Sequence, residues 1–284
     1  MSSSSGTSKD VVANATTLLF VPGDRPERFV KAHQSGADLI IIDLEDAVDP
    51  ENKAVALSVV VAALTSSHAE ISGGRLTALV RIDSNLAEEH LSAMKQVSET
   101  ANNGLLGVMI PKAETAQQIS DAVQTLSREL AVVPLVESAL GLVNVNDIAN
   151  VGGVTRLGFG AVDFGVDTDA THERITDYAR ANIVIASRAA GIATPVDSPS
   201  LSIKDVDVVT AEALRAREFG FGGKLCIHPA QVEPVKNSFL PSTEQIAWAK
   251  EVIGLEGGAS QHNGVMIDKP VVDRAKRILA QAGE

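Results

Sequence analysis

The sequence is poor in cysteine, in aromatic residues and in positive charge, and each shortage excludes a class of protein. One of its 284 residues is a cysteine, so the chain cannot form an internal disulfide, which fits a reducing compartment. Aromatic residues make up 3% and the formal net charge is -12. The chain therefore offers neither stacking rings nor a basic surface, and we expect no nucleic acid partner.

Long hydrophobic runs are also missing. No stretch approaches the roughly 20 apolar residues that a membrane-spanning helix needs. The first residues, MSSSSGTSKD, are small and polar and contain no apolar core of a secretory signal. We therefore predict a cytoplasmic protein with no membrane partner, and a disordered N-terminal tail over residues 1–15.

A regular alternation of short apolar runs and amphipathic segments fills the rest of the chain. Apolar runs that are typical of buried parallel strands occupy residues 18–21, 39–43, 79–82, 108–110, 133–136, 156–159, 192–196 and 224–227. Helical segments are predicted at residues 27–34, 53–64, 87–97, 115–130, 146–151, 177–190, 205–219 and 243–254.

Eight β/α repeats predict a (β/α)₈ TIM-type barrel over residues 16–255. A doubly wound open sheet is the alternative, but its nucleotide-binding form needs a glycine-rich turn after the first strand, where this chain has one glycine, Gly23. Residues 256–284 follow the predicted barrel and are not needed to complete it. They are predicted to form a polar linker at 257–263 and a C-terminal helix at 271–280 that packs on a neighbouring subunit.

Charged side chains follow most of the predicted strands, at the end where barrels of this type carry their chemistry. Glu137 and Asp163 follow the fifth and sixth strands, so their carboxylates are expected to converge. Two acids with open positions favour Mg²⁺, which prefers oxygen ligands and keeps several sites for water or substrate. The same rim is predicted to carry Asp24, Arg25, Arg28, Glu45, Asp46, Arg81, Asp83, Lys112 and His228.

Nine sequence blocks in one order resemble the citrate lyase β-subunit and malyl-CoA lyase family. They are FVPGDRPERF, IIDLEDAV, LVRID, IPKAE, PLVESALGL, LGFGAVDFGVD, the helix with YAR and ASRAAG, GKLCIHPAQV and MIDKPVVDRA. The resemblance covers nearly the whole chain after about the first fifteen residues. It implies a TIM-like barrel that binds Mg²⁺, assembles into trimers or hexamers and cleaves or forms a carbon–carbon bond beside a thioester.

The resemblance also implies roles for individual residues. It places metal ligands at Glu137 and Asp163, a clamp for a substrate carboxylate at Arg81, and a catalytic acid or base at Asp268 that is contributed across a subunit interface. Mg²⁺ acts as a Lewis acid on the substrate oxygens, and the planar guanidinium of Arg81 matches a carboxylate at two points. The partners implied are a 2-oxo acid and a CoA thioester.

Structural roles compete with each of these assignments. Glu137 could instead cap a helix that begins near Ser138, and Asp163 could satisfy loop amides. Arg81 could pair with Asp83, Glu45 or Asp46 in a structural network.

The remaining candidates are less specific. Glu45 and Asp46 could accept metal-bound water beside the substrate or hold Arg81 in place. Arg25 and Lys112 could contact the substrate or CoA phosphates, or could be solvated. His228 is as well explained by a structural role, and Asp268 alone would be interpreted as an acid at a helix N-terminus.

Three hypotheses for function follow. The first is a Mg²⁺-dependent lyase acting on a 3-hydroxyacyl-CoA of the malyl, citramalyl or citryl type. The second is a CoA-independent aldolase that uses the same metal and arginine on a pyruvate-type donor. The third is a non-catalytic protein that binds a 2-oxo acid. Asp268 argues against the third.

Overall fold

The computed structural model describes residues 6–65, 70–71, 74–254, 260–262 and 265–283. Eight parallel strands form a closed barrel in which each strand pairs with its neighbours along the chain and the eighth pairs with the first. The strands are β1 (Thr17–Pro22), β2 (Leu39–Asp43), β3 (Ala78–Arg81), β4 (Leu105–Ile110), β5 (Ala131–Val136), β6 (Arg156–Phe159), β7 (Ala193–Asp197) and β8 (Gly223–Cys226). The predicted barrel and all eight predicted strands are confirmed.

The strands are apolar because both of their faces are covered. Every residue of β2, β3, β5, β6 and β8 is buried. One face packs into the barrel interior, where Leu18, Ile41, Leu79, Val133 and Leu225 belong to one cluster of buried residues. The other face lies beneath the surrounding helices, as expected for parallel sheets.

Thirteen α-helices lie in the described part of the chain. They are α1 (Ser8–Asn14), α2 (Phe29–His33), α3 (Lys53–Thr65), α4 (Ala87–Glu99), α5 (Ala116–Thr125), α6 (Ala139–Val143), α7 (Val145–Ala149), α8 (Ala161–Asp167), α9 (Glu173–Ala189), α10 (Val206–Phe219), α11 (Val232–Phe239), α12 (Thr243–Gly254) and α13 (Lys269–Gln281). None of the described helices is long and apolar enough to cross a membrane.

The N-terminal segment differs from the predicted disordered tail, because residues 8–14 form helix α1. Thr7 and Asp10 form a capping box in which each side chain accepts a hydrogen bond from the other residue's backbone amide. Val12 is fully buried and belongs to the same cluster as the barrel strands. A single buried valine in a short polar segment is too weak a periodic signal to predict a helix.

Arg156, at the start of β6, connects α1 to the barrel. Its side chain is completely buried, and it donates hydrogen bonds to the carbonyls of Val12, Ala15, Thr194 and Pro195 at 2.7–3.4 Å. Burial lowers the pKa of this guanidinium to about 9. Four carbonyl oxygens thus solvate a buried cation at the amino end of the barrel, opposite the catalytic rim of such folds.

The C-terminal part of the chain is organised differently from the sequence prediction. Two compact units divide at Val235, earlier than the predicted boundary at residue 255. The segment 243–254, predicted as the eighth barrel helix, is α12 and packs against α13 within the second unit. Helix α11, which follows β8, was missed because it is short and contains Pro234, which a first helical turn tolerates.

The second unit, Lys236–Glu284, has its own small core. Ala249 and Val252 of α12 pack with Val272, Ala275 and Ile278 of α13. The apolar stripe of the C-terminal helix is therefore buried against α12, so the stripe itself gives no argument for a neighbouring subunit. Of the predicted linker 257–263, residues 260–262 pair antiparallel with 265–267, and the rest lies outside the described residues.

We predict that Arg156→Met lowers the free energy of unfolding by about 2 to 4 kcal/mol, because the buried carbonyls of Val12 and Ala15 lose their donor. Denaturant titration measures the change. Arg188→Met, at an exposed position on α9, is the matched control and should stay within about 0.5 kcal/mol of the wild type. Equal stability of the two variants would show that the carbonyl contacts of Arg156 contribute nothing.

Candidate functional site

A cavity of about 350 Å³ opens at the carboxyl end of the barrel strands. Strand ends on opposite sides of the barrel contribute to it, as in other barrels of this type. Its charged lining consists of four acids and one arginine: Asp43, Asp46, Glu137, Asp163 and Arg81. Four of these five residues were predicted from the sequence to lie at this rim.

Arg81 is buried at the end of β3 and is held by Asp43 at the end of β2. The two residues are register partners in adjacent parallel strands. Arg81 Nε and Nη2 donate to the two carboxylate oxygens of Asp43, each at 2.7 Å. This is the two-point geometry that a guanidinium offers a carboxylate. From the sequence, that geometry was predicted for a substrate carboxylate, whereas in the structure Asp43 occupies this edge of the guanidinium.

Two further acids surround the same guanidinium. Arg81 Nη1 lies 3.3 Å from Glu45 Oε2, and Nη2 lies 3.2 Å from Asp46 Oδ2. The guanidinium carbon stands 4.8 Å from the centre of the Phe20 ring. Burial opposes the charged form of Arg81, but Asp43 and the two other acids outweigh burial and raise its pKa. Arg81 therefore remains a cation although its side chain is largely buried.

Glu45 is buried beside Arg81, and one of its carboxylate oxygens lacks a hydrogen bond. Its Oε2 makes no hydrogen bond, although Arg81 Nη1 is 3.3 Å away, so the pair is ionic without hydrogen-bond geometry. Burial raises the pKa of Glu45 to about 8, against the opposing charge of Arg81. Of the two roles considered for Glu45 and Asp46, the contact with Arg81 is present in the structure.

Glu137 follows β5 and is fixed by the backbone of Lys112. The Lys112 amide donates to Glu137 Oε1 at 2.7 Å, and Lys112 adopts a left-handed φ of 46°, which is uncommon outside glycine. Burial raises the pKa of Glu137 to about 7, and the charge of Asp163 adds to the increase. Glu137 is not a helix cap, because the Ser138 side chain caps α6 by accepting from the Gly141 amide.

Asp163 lies in the first turn of α8, beyond β6. Strands β5 and β6 are parallel neighbours, as the sequence analysis required for the two acids to converge. Gly160 separates β6 from α8 and passes close to Glu137: a Cβ at Gly160 would lie 2.5 Å from Glu137 Oε2. Glycine is therefore needed here for a close approach of backbone to carboxylate.

The donor set fits a hard divalent cation. Glu137 and Asp163 present carboxylate oxygens to one cavity, and the charge of Asp163 helps to raise the pKa of Glu137 when no cation is present. No group of three or more potential ligands is found among the described residues. Two carboxylates suffice for Mg²⁺, which usually keeps waters or substrate oxygens at its other positions.

Several predicted residues lie away from the cavity lining. The Arg25 side chain is 56% exposed and 3.7 Å from Asp24, and the Lys112 side chain is exposed. Asp83 does not pair with Arg81. Its carboxylate instead contacts Lys53 Nζ at 2.6 Å. Of the three structural partners considered for Arg81, Asp83 is therefore wrong.

Two more candidates serve as caps of helical turns. His228 is exposed, and its side chain accepts a hydrogen bond from the Ala230 amide. Asp268 belongs to the second unit, where it caps α13 by accepting from the Val271 amide at 3.3 Å. The structural reading that the sequence analysis gave as an alternative for each residue is therefore present, and the catalytic role of Asp268 stays a prediction.

Sequence reasoning missed Asp43 and Gly160. Asp43 ends an otherwise apolar strand, LIIID, and Arg81 ends ALVR, so matching the last residues of adjacent strands would have paired them. Ser198 was also missed. It lies after β7, lines the cavity and accepts a hydrogen bond from the Ala161 amide at the start of α8.

Comparison with known proteins agrees with this architecture. The model of the HpcH/HpaI aldolase/citrate lyase family matches residues 16–229. A citrate lyase subunit beta-like protein of Mycobacterium tuberculosis is 33% identical over 277 residues, covering 94% of this chain and 95% of the relative. The L-malyl-CoA/beta-methylmalyl-CoA lyase of Cereibacter sphaeroides is 30% identical over 301 residues and covers 93% of both chains.

A solved structure extends the similarity to three dimensions. The M. tuberculosis protein CitE, in complex with magnesium, acetoacetate and coenzyme A, superposes with a TM-score of 0.80 at 32% identity. The match covers 96% of this chain and 100% of that chain. This chain belongs to the HpcH/HpaI aldolase/citrate lyase family.

Proposed function

We propose that this chain is a Mg²⁺-dependent carbon–carbon lyase that cleaves or forms a 3-hydroxyacyl-CoA, with a 2-oxo acid and an acyl-CoA as the other partners. The observation that carries the proposal is the buried Glu137 beside Asp163, in one cavity with the buried cation Arg81. The family relatives named as CoA-thioester lyases support the same reaction class.

Glu137 and Asp163 are the residues that would hold the cation. Mg²⁺, when bound, would supply a Lewis acid for the carboxylate and neighbouring oxygen of the oxo acid, a contribution of several kcal/mol. The Lys112 amide orients Glu137 by holding one carboxylate oxygen at 2.7 Å. Gly160 leaves the space in which the other oxygen lies.

Arg81 binds the substrate carboxylate in this proposal, but through one edge only. Asp43 takes the edge formed by Nε and Nη2, which holds the guanidinium plane in a fixed orientation. Nη1, on the Glu45 side, is the nitrogen that remains for a carboxylate of the substrate. Asp43 is therefore a positioning residue, and Arg81 contributes a pre-oriented charge that needs little reorganisation when substrate binds.

Cleavage requires one proton to move. The bond between the hydroxyl-bearing carbon and the carbon next to the thioester breaks, the hydroxyl loses its proton and becomes the oxo group, and the released enolate carbon takes up a proton. We propose Asp268 as the acid or base, contributed by a neighbouring chain of a homotrimer or hexamer. Positioned acid–base groups of this kind typically contribute roughly 10² to 10⁴ in rate.

The proposal is tested with a panel of substrates at fixed Mg²⁺ concentration. We expect cleavage of at least one of malyl-CoA, citramalyl-CoA and citryl-CoA, and loss of cleavage when EDTA removes the metal. Cleavage of free hydroxy acids without CoA would instead identify an aldolase. Binding of oxo acids without any turnover would identify a non-catalytic binding protein, and either result would contradict the proposal.

Two glycine variants provide the matched control for that panel. Gly160→Ala introduces a methyl group that must displace Glu137, and we expect Mg²⁺ affinity and cleavage to fall by about tenfold or more. Gly165→Ala, on α8, places its methyl group no closer than 3.9 Å to any atom beyond its chain neighbours and its own helix backbone, and it should leave both unchanged. Equal Mg²⁺ affinity of the two variants would argue against Glu137 as a ligand.

We predict that Mg²⁺ binds about tenfold more weakly at pH 6 than at pH 8. The pKa of Glu137 is raised to about 7, so its carboxyl is mostly protonated at pH 6, and the cation must displace that proton. Titration calorimetry in buffers of different ionisation enthalpy measures both affinity and proton release. Glu99→Gln, at the exposed end of α4, should keep the pH dependence; affinity independent of pH in the wild type would contradict the assignment.

The same raised pKa determines how stability depends on pH without a cation. Between the ordinary carboxyl pKa of 4.5 and about 7, the folded chain binds more protons at Glu137 than the unfolded chain does. Protonated Glu137 therefore gives its full contribution to the free energy of unfolding below the ordinary pKa. That contribution is lost as pH rises through 7. Mg²⁺ should restore stability in the upper range because it binds the folded state.

Asp268 is tested by mixing two inactive variants, Glu137→Ala and Asp268→Ala, after mild dissociation and reassembly. If one chain supplies the metal pocket and its neighbour supplies Asp268, random mixing of equal amounts restores about one quarter of the sites in a cyclic assembly. Cleavage assays before and after mixing measure the recovery. No recovery despite demonstrated subunit exchange would place Asp268 outside a shared site.

A further inference from the structure

The cavity is lined by acids around Arg81 and by apolar side chains, and this composition bears on which oxo acid it accepts. We infer that the apolar part of the lining selects a 2-oxo acid whose substituent is hydrogen or a small alkyl group, and rejects one that carries a second carboxylate. The inference rests on the proposed lyase function and identifies its substrate class. Malyl-CoA and citramalyl-CoA, which yield glyoxylate and pyruvate, are then substrates, whereas citryl-CoA, which yields oxaloacetate, is a poor one.

The acids of the cavity lining outnumber its cation. Asp43, Asp46, Glu137 and Asp163 line the cavity together with Arg81. Among the described residues of this lining, Arg81 is the one cationic side chain, and it is engaged with Asp43 at two points and with Asp46 at 3.2 Å. One bound Mg²⁺ and the remaining Arg81 nitrogen can accommodate one substrate carboxylate. A second carboxylate on this side would face other carboxylates.

Apolar side chains make up another part of the lining. Leu225 of β8 and Leu135 of β5 line the cavity and belong to one buried cluster, and Phe20 of β1 packs against that cluster while its ring also lies 4.8 Å from the Arg81 guanidinium carbon. Ile227 and Val162 continue the apolar wall toward the opening, where they are 40% and 45% exposed. A hydrogen atom or methyl group can pack against this wall, whereas a carboxylate there would lose part of its hydration, and the described lining offers it the Ser198 hydroxyl but no cation besides Arg81.

A neighbouring group of cations is already neutralised. A second cavity, of about 310 Å³, shares Val162, Ser198 and Pro199 with the first and is lined by Arg180, Arg215 and Lys224. Asp197 accepts from Arg180 Nε at 2.9 Å and from Lys224 Nζ at 3.0 Å.

Arg215, the third cation of that cavity, contacts Glu173 and Asp177 at 2.7 and 2.6 Å. Arg180 also contacts Asp177 at 3.5 Å, and Lys224 lies 3.9 Å from Glu212. The three cations of this cavity therefore face four acids: Asp197, Asp177, Glu173 and Glu212. The adjacent cavity has no net positive charge that would attract a second carboxylate.

The experiment compares kcat/KM for malyl-CoA, citramalyl-CoA and citryl-CoA at one Mg²⁺ concentration, in the wild type and in two variants at Ile227. We expect the wild type to prefer the better of the first two substrates over citryl-CoA by about tenfold or more. The second carboxylate of the oxaloacetate part would lie beside other carboxylates or against apolar side chains. Ile227→Lys adds a cation to that wall from a partly exposed position, and it should raise kcat/KM for citryl-CoA relative to citramalyl-CoA by about fivefold or more. Ile227→Met keeps the volume without the charge and should keep the wild-type preference.

The outcomes separate this inference from the function on which it rests. If none of the three thioesters is cleaved, the proposed lyase function fails. If the wild type cleaves citryl-CoA as well as the other two, the function stands and the selectivity is wrong. If Ile227→Lys folds, cleaves citramalyl-CoA and leaves the ratio unchanged, the apolar wall is not what distinguishes the substrates.

Discussion

The pair of hydrogen bonds between Arg81 and Asp43 is the interaction on which the site depends. A buried guanidinium is costly unless its charge is matched, and here a register partner on the adjacent strand matches it at two points. The pair keeps a cation beneath the rim and fixes its plane. Asp46 adds a further carboxylate beside it, and Glu137 and Asp163 line the same cavity, so that the cavity as a whole favours binding of a further cation.

The two ends of the barrel differ in how their buried charges are balanced. At the amino end, α1 and the carbonyl contacts of Arg156 cover the strands, and the partners of this buried cation among the described residues are neutral backbone oxygens. At the carboxyl end, carboxylates cluster around an open cavity, and burial raises the pKa of two of them, Glu45 and Glu137. One end contributes stability, whereas the other is electrostatically costly until ligands bind, a division expected for barrels with active sites.

The distribution of cations across the carboxyl end links the site to its substrate. Arg81 serves the cavity that contains the two proposed metal ligands, while Arg180 and Lys224 share Asp197 in the adjacent cavity. Phe20 and Leu225 line the same cavity as the acids. The proposed ligand, a 2-oxo acid with one carboxylate, a chelating oxygen and an apolar substituent, matches these features.

The sequence by itself determined the barrel, its eight strands and the rim that carries Glu137, Asp163 and Arg81. It could do so because strand periodicity and the acids at strand ends are local signals along the chain. The partner of Arg81 was decided only by tertiary structure, since Asp43 is 38 positions away and the register between strands brings them together. Burial of α1 and the packing of α12 on α13 likewise depend on contacts between segments, which local pattern does not contain.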